Sequence, residues 1–401
     1  MKVAIQKKDI IDMLANVQGI AGKKSGLAIT ENLLITTLEE SVSVCATDIE
    51  IGFQGTYPAV VKISGKIAIN ARDLYGIVKK ISNPDIYISE EKKQWIQISD
   101  TEDGTRLKYN IVGGNVEDFP QLPQINEIAY IKINSPDFRE MISWATTIAP
   151  QGNEKRAHIL GASLVCRPGL PTDPEPGESD VDAEENNQEL PVNKDKITLR
   201  MISTDGRRLT KTDYVYNNET GLEDKTSILI PKKALNEVFK FLKEEGEVAV
   251  GFRDNYFVVK KENEIIYINL LHGDFPDLTS LFTEDEDRRI ITVDRRQIRE
   301  MIERMAILTS DDYKGVIFRF EDNYLYINAA NPDKGESYEY LEIDFKDEKV
   351  EMMFNPHYFI DAFNLIEEDN VWFKLKGENS PCIVCGENNE NNINIIMPMK
   401  I

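Results

Sequence analysis

A strand-and-helix unit occurs three times along the 401 residues, and this repeat constrains the fold more than any other feature. Each copy begins with a short alternating strand and continues into an amphipathic helix. The copies read VAIQKKDIIDMLANVQGIA, IKINSPDFREMISWATTIA and ITVDRRQIREMIERMAILT. Asp9, Asp137 and Gln297 occupy equivalent positions, and the apolar residues after them recur at helical spacing. A period this long indicates repeated domains rather than the short units of a solenoid.

A second helix is predicted in each copy, after a block of strands. Its three versions read INARDLYGIVKKIS, IPKKALNEVFKFLK and FNPHYFIDAFNLIEE. Two strands around a polar turn follow each version, and one more strand closes the copy. Two helices and about eight antiparallel strands per copy predict an α+β fold, with both helices packed on one face of the sheet. We expect domains at residues 1–124, 125–285 and 286–401.

The second copy contains an insertion ahead of its second helix. The interval from Asp137 to Gln297 exceeds that from Asp9 to Asp137 by 32 residues. Residues 168–193 account for most of the excess and contain eight acidic residues, five prolines and no basic residue. This composition buries too little apolar surface to become ordered, so we expect a disordered loop between two strands. An acidic docking segment for a partner protein is the alternative.

Composition indicates a soluble cytoplasmic protein. The chain is 41% hydrophobic and 29% charged, and it lacks an apolar run of the roughly 20 residues that a membrane helix needs. Its first residues, MKVAIQKKDII, lead into a strand and a charged helix without the apolar core of a signal peptide. We therefore expect no membrane partner.

The sequence gives little support for catalysis or metal binding. Four cysteines are too few for a disulfide framework. Cys382 and Cys385 form a CxxC, but the surrounding SPCIVCGE reads as a strand; a redox or half-zinc site is the alternative. Three histidines and the absence of phosphate-loop, dinucleotide, zincin and nucleophile-elbow motifs favour a protein without catalytic residues, metal or cofactor.

Charge is distributed unevenly along the chain. The net charge is −22, yet the six helical segments sum to +4 and the remainder to −26. If these helices share one surface, that surface is basic and suits phosphate contact without base recognition. The helical candidates for this contact are Arg72, Lys79, Lys80 and Lys240. Ordinary solvated helix faces are the alternative.

Several motifs in order resemble one family. They include STDGRRL, the linkers VEDFPQLP and HGDFPDLT, AILTSDDYKGV, FNPHYFIDAF and the terminal MPMKI. Together they resemble the bacterial DNA polymerase III β subunit, the replicative sliding clamp, over the whole chain except the acidic insertion. The resemblance implies a DNA clamp fold and a head-to-tail homodimer ring that encircles duplex DNA. It implies a processivity factor that tethers the replicative polymerase, the clamp loader and other proteins. A monomeric peptide-binding scaffold is the alternative.

The resemblance also implies a pocket for a short partner peptide between the second and third domains. Leu, Met and Pro side chains form an apolar and adaptable cleft of the kind that serves several partners. Its expected residues are Ile159, Thr204, Gly206, Arg207, Arg208, Leu209, Pro276, Leu281, Tyr313, Asn355, Tyr358, Ile396, Met397, Pro398 and Met399. Packing between domains is the alternative role for Ile159 and Leu209. Arg207 stands where the family commonly has His, and Ser280 stands where many members carry a basic residue.

Further contacts follow from the same resemblance. For DNA it adds Lys23 and Lys24, in the loop after the first helix, and Asn153, in a loop of the second domain. It places the ring interface near Tyr109 in the first domain and near Ile307 and Leu308 in the third.

Overall fold

The computed structural model describes residues 1–401 except 22–26, 93, 124–127, 151–153, 169–194, 219–225, 279–280, 282–287, 311 and 401. The described residues form two compact units. Unit 1 contains Met1–Arg139 and Lys233–Leu270, and unit 2 contains Glu140–Lys232 and Leu271–Ile401. The predicted domain limits at 124 and 285 lie outside the described residues, so they stay a prediction.

Within the described residues, the six long helices lie where the repeat predicts them, and two short helices are added. Their bounds are α1 Lys7–Asn16, α2 Gln18–Ala21, α3 Ala71–Lys80, α4 Ser135–Thr147, α5 Ala157–Leu160, α6 Lys232–Phe241, α7 Arg295–Ala306 and α8 Pro356–Leu365. Asn70, Asp294 and Asn355 each accept a backbone N–H of the first turn of the helix that follows. These caps fix the starts of α3, α7 and α8 locally.

The strands follow the predicted order of each copy. In chain order they are β1 Lys2–Gln6, β2 Asn32–Thr37, β3 Ser41–Thr47, β4 Ile51–Pro58, β5 Val60–Ile63, β6 Lys66–Asn70, β7 Asp85–Lys92, β8 Trp95–Ser99, β9 Lys108–Val112, β10 Ile131–Asn134, β11 Gly161–Pro168, β12 Lys196–Thr204, β13 Arg208–Asn217, β14 Thr226–Pro231, β15 Glu247–Arg253, β16 Tyr256–Lys261, β17 Glu264–Asn269, β18 Arg289–Asp294, β19 Val316–Glu321, β20 Tyr324–Asn331, β21 Gly335–Glu342, β22 Val350–Phe354, β23 Asn370–Leu375, β24 Cys382–Gly386 and β25 Asn389–Ile396. The predicted α+β fold with antiparallel strands is confirmed. Pro168, predicted as the first residue of the insertion, ends β11, and residues 169–194 are outside the described ones, so the disordered loop stays a prediction.

Unit 1 contains two antiparallel sheets. The first has the order β5-β1-β7-β8-β9, and the second has the order β10-β15-β16-β17-β4-β3-β2-β6. The second sheet joins strands of the first and second copies through β17 and β4, where Ile268 pairs with Ile51. The sequence predicted the hairpins within each copy but not this joining of copies.

Unit 2 repeats the arrangement with the second and third copies. Its sheets have the orders β14-β11-β12-β13-β25-β24-β23-β18 and β21-β20-β19-β22. The copies join through β13 and β25, where Leu209 pairs with Ile395. A core of aromatic side chains fills the third copy, with the rings of Phe318 and Phe359 stacked at 4.9 Å between centroids.

One basic residue near the start of the first helix of each copy contacts the end of the second helix. These residues are Lys7, Arg139 and Arg295, and each donates to backbone carbonyls that the second helix leaves unpaired or that follow it directly. The shortest contacts are Lys7 Nζ to Ile81 O (2.7 Å), Arg139 Nη1 to Phe239 O (2.9 Å) and Arg295 Nε to Glu368 O (2.6 Å). These three cations therefore fix helix pairs and are less available to phosphates than the charge count suggested.

The strand interpretation of the CxxC is confirmed. Cys382 and Cys385 are free thiols buried in β24. Burial raises the pKa of Cys385 to about 11 and that of Cys382 still further. Because the thiolate is the reactive form, both side chains act as small apolar groups at neutral pH. No helix in the described part of the chain is long and apolar enough to cross a membrane.

Candidate functional site

The STDGRRL segment forms the tight turn between β12 and β13. Thr204 Oγ1 donates to Arg208 O at 2.8 Å and accepts from Gly206 N at 3.0 Å. Asp205 Oδ1 accepts from the backbone N–H groups of Arg207 and Arg208. Side chains of this type favour turns because they bond to the backbone two or three residues ahead. The turn therefore presents Arg207 and Arg208 in a defined position.

Arg208 connects this turn to α8. Its guanidinium lies 4.5 Å from the Tyr358 ring centroid and donates to Asp361 Oδ2 at 2.6 Å and to Asp205 Oδ2 at 3.2 Å. The side chain is mostly buried, so these charged contacts are weakly screened. The structure thus brings together two predicted site residues, Arg208 and Tyr358. Asp361 was not predicted, because a contact over 153 residues leaves no local signal.

The chain end completes the same site. Arg208 pairs with Ile396 in the β13–β25 ladder, and Met397 N donates to Arg207 O at 2.9 Å. Met399 N then donates to Met353 O at 2.7 Å. The backbone from Met397 to Met399 is fixed in this way, while the side chains of Met397 and Met399 remain about two-fifths exposed, at 40% and 38%. Exposed methionines on a fixed backbone form an adaptable apolar surface.

An apolar cluster forms the floor beside this surface. Leu209 belongs to it, and Leu281, Leu278 and Phe275 pack against it from the linker segment. The predicted site residues Leu209 and Leu281 are therefore brought together, although the sequence separates them by more than 70 residues.

The remaining residues predicted for the pocket differ in solvent exposure. Ile159 is only 2% exposed, within α5, which packs on β11, β12 and β14, so interior packing describes it better than a pocket wall. Asn355 caps α8. Tyr313 lies after α7 and hydrogen-bonds through its backbone to Ser310. Its side chain is exposed, and so are Gly206, Arg207 and Pro276; Pro398 is half-buried.

Lys232 lies buried beneath the turn. Its ammonium donates to Ile148 O at 2.8 Å and approaches Thr204 O at 3.4 Å. Burial lowers the pKa of Lys232 to about 8, against the opposing effect of Asp205 and with a small contribution from Arg208. The sequence offered no signal for this residue, since it resembles the other lysines of α6.

This depressed pKa predicts a rise in stability at alkaline pH. Between pH 8 and 10.5 the unfolded chain binds a proton at Lys232 that the folded chain has lost, so the unfolding free energy increases with pH there. We expect urea unfolding to show this rise in wild type relative to Lys232→Met. The neighbouring Lys233→Met is the control, because ion pairs to Glu50 and Asp48 outweigh burial and raise its pKa. If the difference in unfolding free energy between wild type and Lys232→Met does not change with pH, the pKa of Lys232 is not lowered in the folded chain.

Gly206 provides a second prediction. Its φ of +85° is in the region that favours glycine, and an added Cβ would meet no atom within 4 Å. Gly206→Ala should therefore destabilise the protein by backbone strain alone, by about 1–2 kcal/mol. Gly76→Ala is the matched control: its Cβ also meets nothing, but Gly76 lies within α3, so alanine should stabilise by about 0.5–1 kcal/mol. Thermal unfolding measures both changes in stability. Changes of the same sign in the two variants would contradict the role of backbone strain at Gly206.

The expected DNA residues are only partly described. Lys23, Lys24 and Asn153 lie outside the described residues. Arg72, Lys79 and Lys80 are exposed on α3, with the Lys79 ammonium 5.4 Å from the Tyr75 ring centroid. Lys240 is exposed on α6 but pairs with Glu237 at 3.1 Å.

The third copy offers less positive charge than its composition suggests. On α7, Arg296 pairs with Glu300 at 3.0 Å and Arg299 with Glu303 at 2.8 Å. Arg304 pairs with Glu339 of β21. These three basic side chains of α7 are therefore neutralised locally, whereas α3 carries Lys79 and Lys80 at its exposed end.

The expected interface residues lie at or near exposed sheet edges. Tyr109 is on β9, the edge strand of the five-stranded sheet in unit 1. In unit 2, Ile307 follows α7 and is 71% exposed, while Leu308 is half-buried against the core. The nearby β21 is also an edge strand, with Glu336, Glu339 and Glu342 along it. Both edges leave backbone groups available for a further strand.

Comparison with known proteins identifies the class. Three family models match in chain order: the N-terminal domain of the DNA polymerase III beta subunit at residues 1–123, its central domain at 187–277 and its C-terminal domain at 280–400. The beta sliding clamp of Pseudomonas aeruginosa is 24% identical, with both chains covered fully. The beta sliding clamp of Chlamydia pneumoniae is 21% identical over 100% of this chain and 99% of its own.

Solved structures agree on the fold. The crystal structure of the DNA polymerase III subunit beta from Pseudomonas aeruginosa matches with a TM-score of 0.85 at 24% identity, over 100% of both chains. The sliding clamp of the same organism bound to griselimycin also matches with a TM-score of 0.85, at 23% identity and full coverage. The fold is that of the sliding clamps. The chain belongs to the DNA polymerase III beta subunit family, as the sequence motifs predicted.

Proposed function

We propose that this chain is the processivity factor of a replicative polymerase, a clamp that encircles duplex DNA and tethers proteins to it. The observation that supports this most strongly is the match of all three domain models in order along one chain. The role requires no catalytic group: the protein acts by topology and by peptide binding. A replication protein of this kind acts on DNA in the bacterial cytoplasm.

Two copies joined head to tail form the ring in this proposal. The edge strand β9 carries Lys108 and the exposed Tyr109, and the edge strand β21 carries three glutamates. Antiparallel pairing of such edges satisfies backbone groups that are otherwise solvated, and the opposite charges favour this pairing over self-association of either edge. Ile307 supplies exposed apolar surface in the same unit as β21. The monomeric scaffold leaves both edges without a role.

DNA would be held weakly and without base recognition. The net charge of −22 keeps most of the protein from binding DNA, and the exposed lysines of α3 provide local positive charge. Each phosphate contact must break as the ring moves, so a few solvated contacts suit sliding better than many tight ones.

The charge pattern gives an experimental test. In binding to a short duplex, we expect Lys79→Ala with Lys80→Ala to reduce the magnitude of the log K versus log salt slope by about 1–2, because each phosphate contact contributes about 0.9. Arg296→Ala with Arg299→Ala removes the same formal charge from α7, where glutamates already neutralise it, and should leave the slope unchanged. Equal effects of the two pairs would show that α3 has no special part in DNA contact.

Partner proteins would dock on the surface formed by Arg207, Arg208, Leu209, Met397 and Met399. Its support is the convergence of a fixed turn, an apolar floor and exposed methionines. A related clamp binds the compound griselimycin. We therefore use griselimycin as the probe of this surface, which we call the partner site.

A further inference from the structure

A cavity of about 470 Å³ lies beside the partner site, on the outward face of β11, β12 and β14. Residues 273–278 of the linker pass over it, and we call it the linker cavity. Val165, Ile202 and Leu278 give it apolar walls. Pro276, which the family resemblance assigns to the partner-peptide pocket, also lines this cavity.

Strand alternation explains its mixed chemistry. Ser163, Val165 and Arg167 project to one face of β11, while Leu164 and Cys166 are buried on the other. On the neighbouring strand, Arg200 pairs with Val165 in the ladder. The sheet therefore places the guanidinium groups of Arg167 and Arg200 beside an apolar surface.

The guanidinium groups of Arg167 and Arg200 both line this end of the cavity. Arg200 makes a bidentate pair with Asp213 at 2.7 and 2.6 Å, and Lys211 donates to the same carboxylate at 2.9 Å. Arg167 adds a third cation, and its buried Nε has no hydrogen-bond partner among the described residues. The Lys211 ammonium also lies near Glu390, so Asp213 and Glu390 together oppose the charges of Arg200 and Lys211, and the buried Arg167 Nε is the donor left for an incoming acceptor.

Two acidic residues also line the cavity. Asp274 and Asp277 belong to the linker, and both are exposed. Exposed charges are screened by water and salt much more than buried ones. A buried donor without an acceptor costs free energy, so the arrangement favours an incoming acceptor with negative charge.

We propose that the linker cavity is a second binding site, which accepts a peptide segment with an apolar side chain next to a carboxylate. The apolar side chain packs on Val165, Ile202 and Leu278, and the carboxylate pairs with Arg167. Leu278 also packs on the cluster that contains Leu209. A partner that fills the partner site therefore reaches the cavity by crossing Pro276. This last step rests on the proposed function, but the ligand chemistry of the cavity does not.

A matched pair of small probes tests the chemistry. N-acetylphenylalanine has the apolar ring and the carboxylate, and N-acetylphenylalanine amide lacks only the charge. In the full-length protein with labelled methyl groups, we expect the acid to shift the NMR signals of Val165 and Ile202 saturably. The amide should bind at least about tenfold more weakly, because it loses a charge-assisted pair.

Variants locate the binding. Arg167→Gln should reduce affinity for the acid to that for the amide, Arg167→Lys should retain part of it, and Arg296→Gln should change nothing. Ser227→Phe, which fills the cavity from an exposed position, should abolish the shifts of both probes. Equal binding of acid and amide, full binding by Arg167→Gln, or no shift of these methyl groups overturns the proposal.

Griselimycin binding tests the partner site independently of the linker cavity. Its affinity should be unchanged in Arg167→Gln and Ser227→Phe. If the acid binds as expected but griselimycin fails to bind wild type, the partner site is wrong and the linker cavity stands. If griselimycin binds and the acid does not, the linker cavity is wrong and the partner site stands.

Discussion

Met397→Ala combined with Leu209→Ala is expected to abolish griselimycin binding while leaving the oligomeric state intact. Leu209 belongs to the buried floor of the partner site, and Met397 is an exposed side chain above a fixed backbone. Each truncation removes about 1.5–3 kcal/mol of apolar contact. Together they should weaken binding by at least about 100-fold, measured by calorimetry.

Two controls make this result specific. Val215→Ala shortens an exposed side chain on the same strand β13, away from the turn, and should bind griselimycin as wild type does. Met397→Ala alone should weaken binding without lowering the melting temperature, because Met397 is exposed. Undiminished affinity in the double variant would place the site elsewhere on the chain.

Ile307→Ala combined with Leu308→Ala is expected to convert the protein from dimer to monomer. Ile307 is largely solvated in the described chain, so its apolar surface has little role in the fold. Loss of the Ile307 side chain from an interface removes about 1.5–3 kcal/mol, and loss of the half-buried Leu308 adds less than that, so the dimer Kd should rise by at least about tenfold. Sedimentation at micromolar concentration should then give the mass of one chain, 45.7 kDa, rather than twice that value.

The opposite edge of the unit 1 sheet provides the control. Val60→Ala with Ile63→Ala removes comparably exposed side chains from β5, which is also an edge strand. We expect this variant to remain dimeric, because β5 has no part in the proposed interface. A wild-type protein that sediments as a monomer would favour the peptide-binding scaffold over the ring.

Local features of the fold could be predicted from the sequence because they are encoded locally. Asn70, Asp294 and Asn355 mark helix starts within a few residues of the groups they cap. Pairing between copies could not be predicted in this way. Leu209 of β13 pairs with Ile395 of β25, which belongs to another copy. Many strands of the chain show the same alternation of apolar and polar residues, so the pattern does not indicate which two strands pair.

In the candidate site, too, local contacts could be predicted from the sequence and distant contacts could not. The turn chemistry of Asp205 and Gly206 is readable from the STDGRRL segment, because its bonds span two or three residues. Asp361 and Lys232 take their roles from burial and from distant contacts, which appear only in three dimensions. The same limit applies to charge: a count of basic residues does not distinguish Lys79, at an exposed helix end, from Arg295, which holds two helices together.

Retention on circular DNA distinguishes a clamp that encircles the duplex from a protein that binds its surface. The protein is loaded onto closed circular duplex DNA, the free protein is removed, and half of the sample is then cut once with a restriction enzyme. A ring held by topology should remain on the circles and leave the linear molecules by sliding off their ends. Equal loss from the circular and the cut DNA would contradict encirclement and leave only ordinary surface binding.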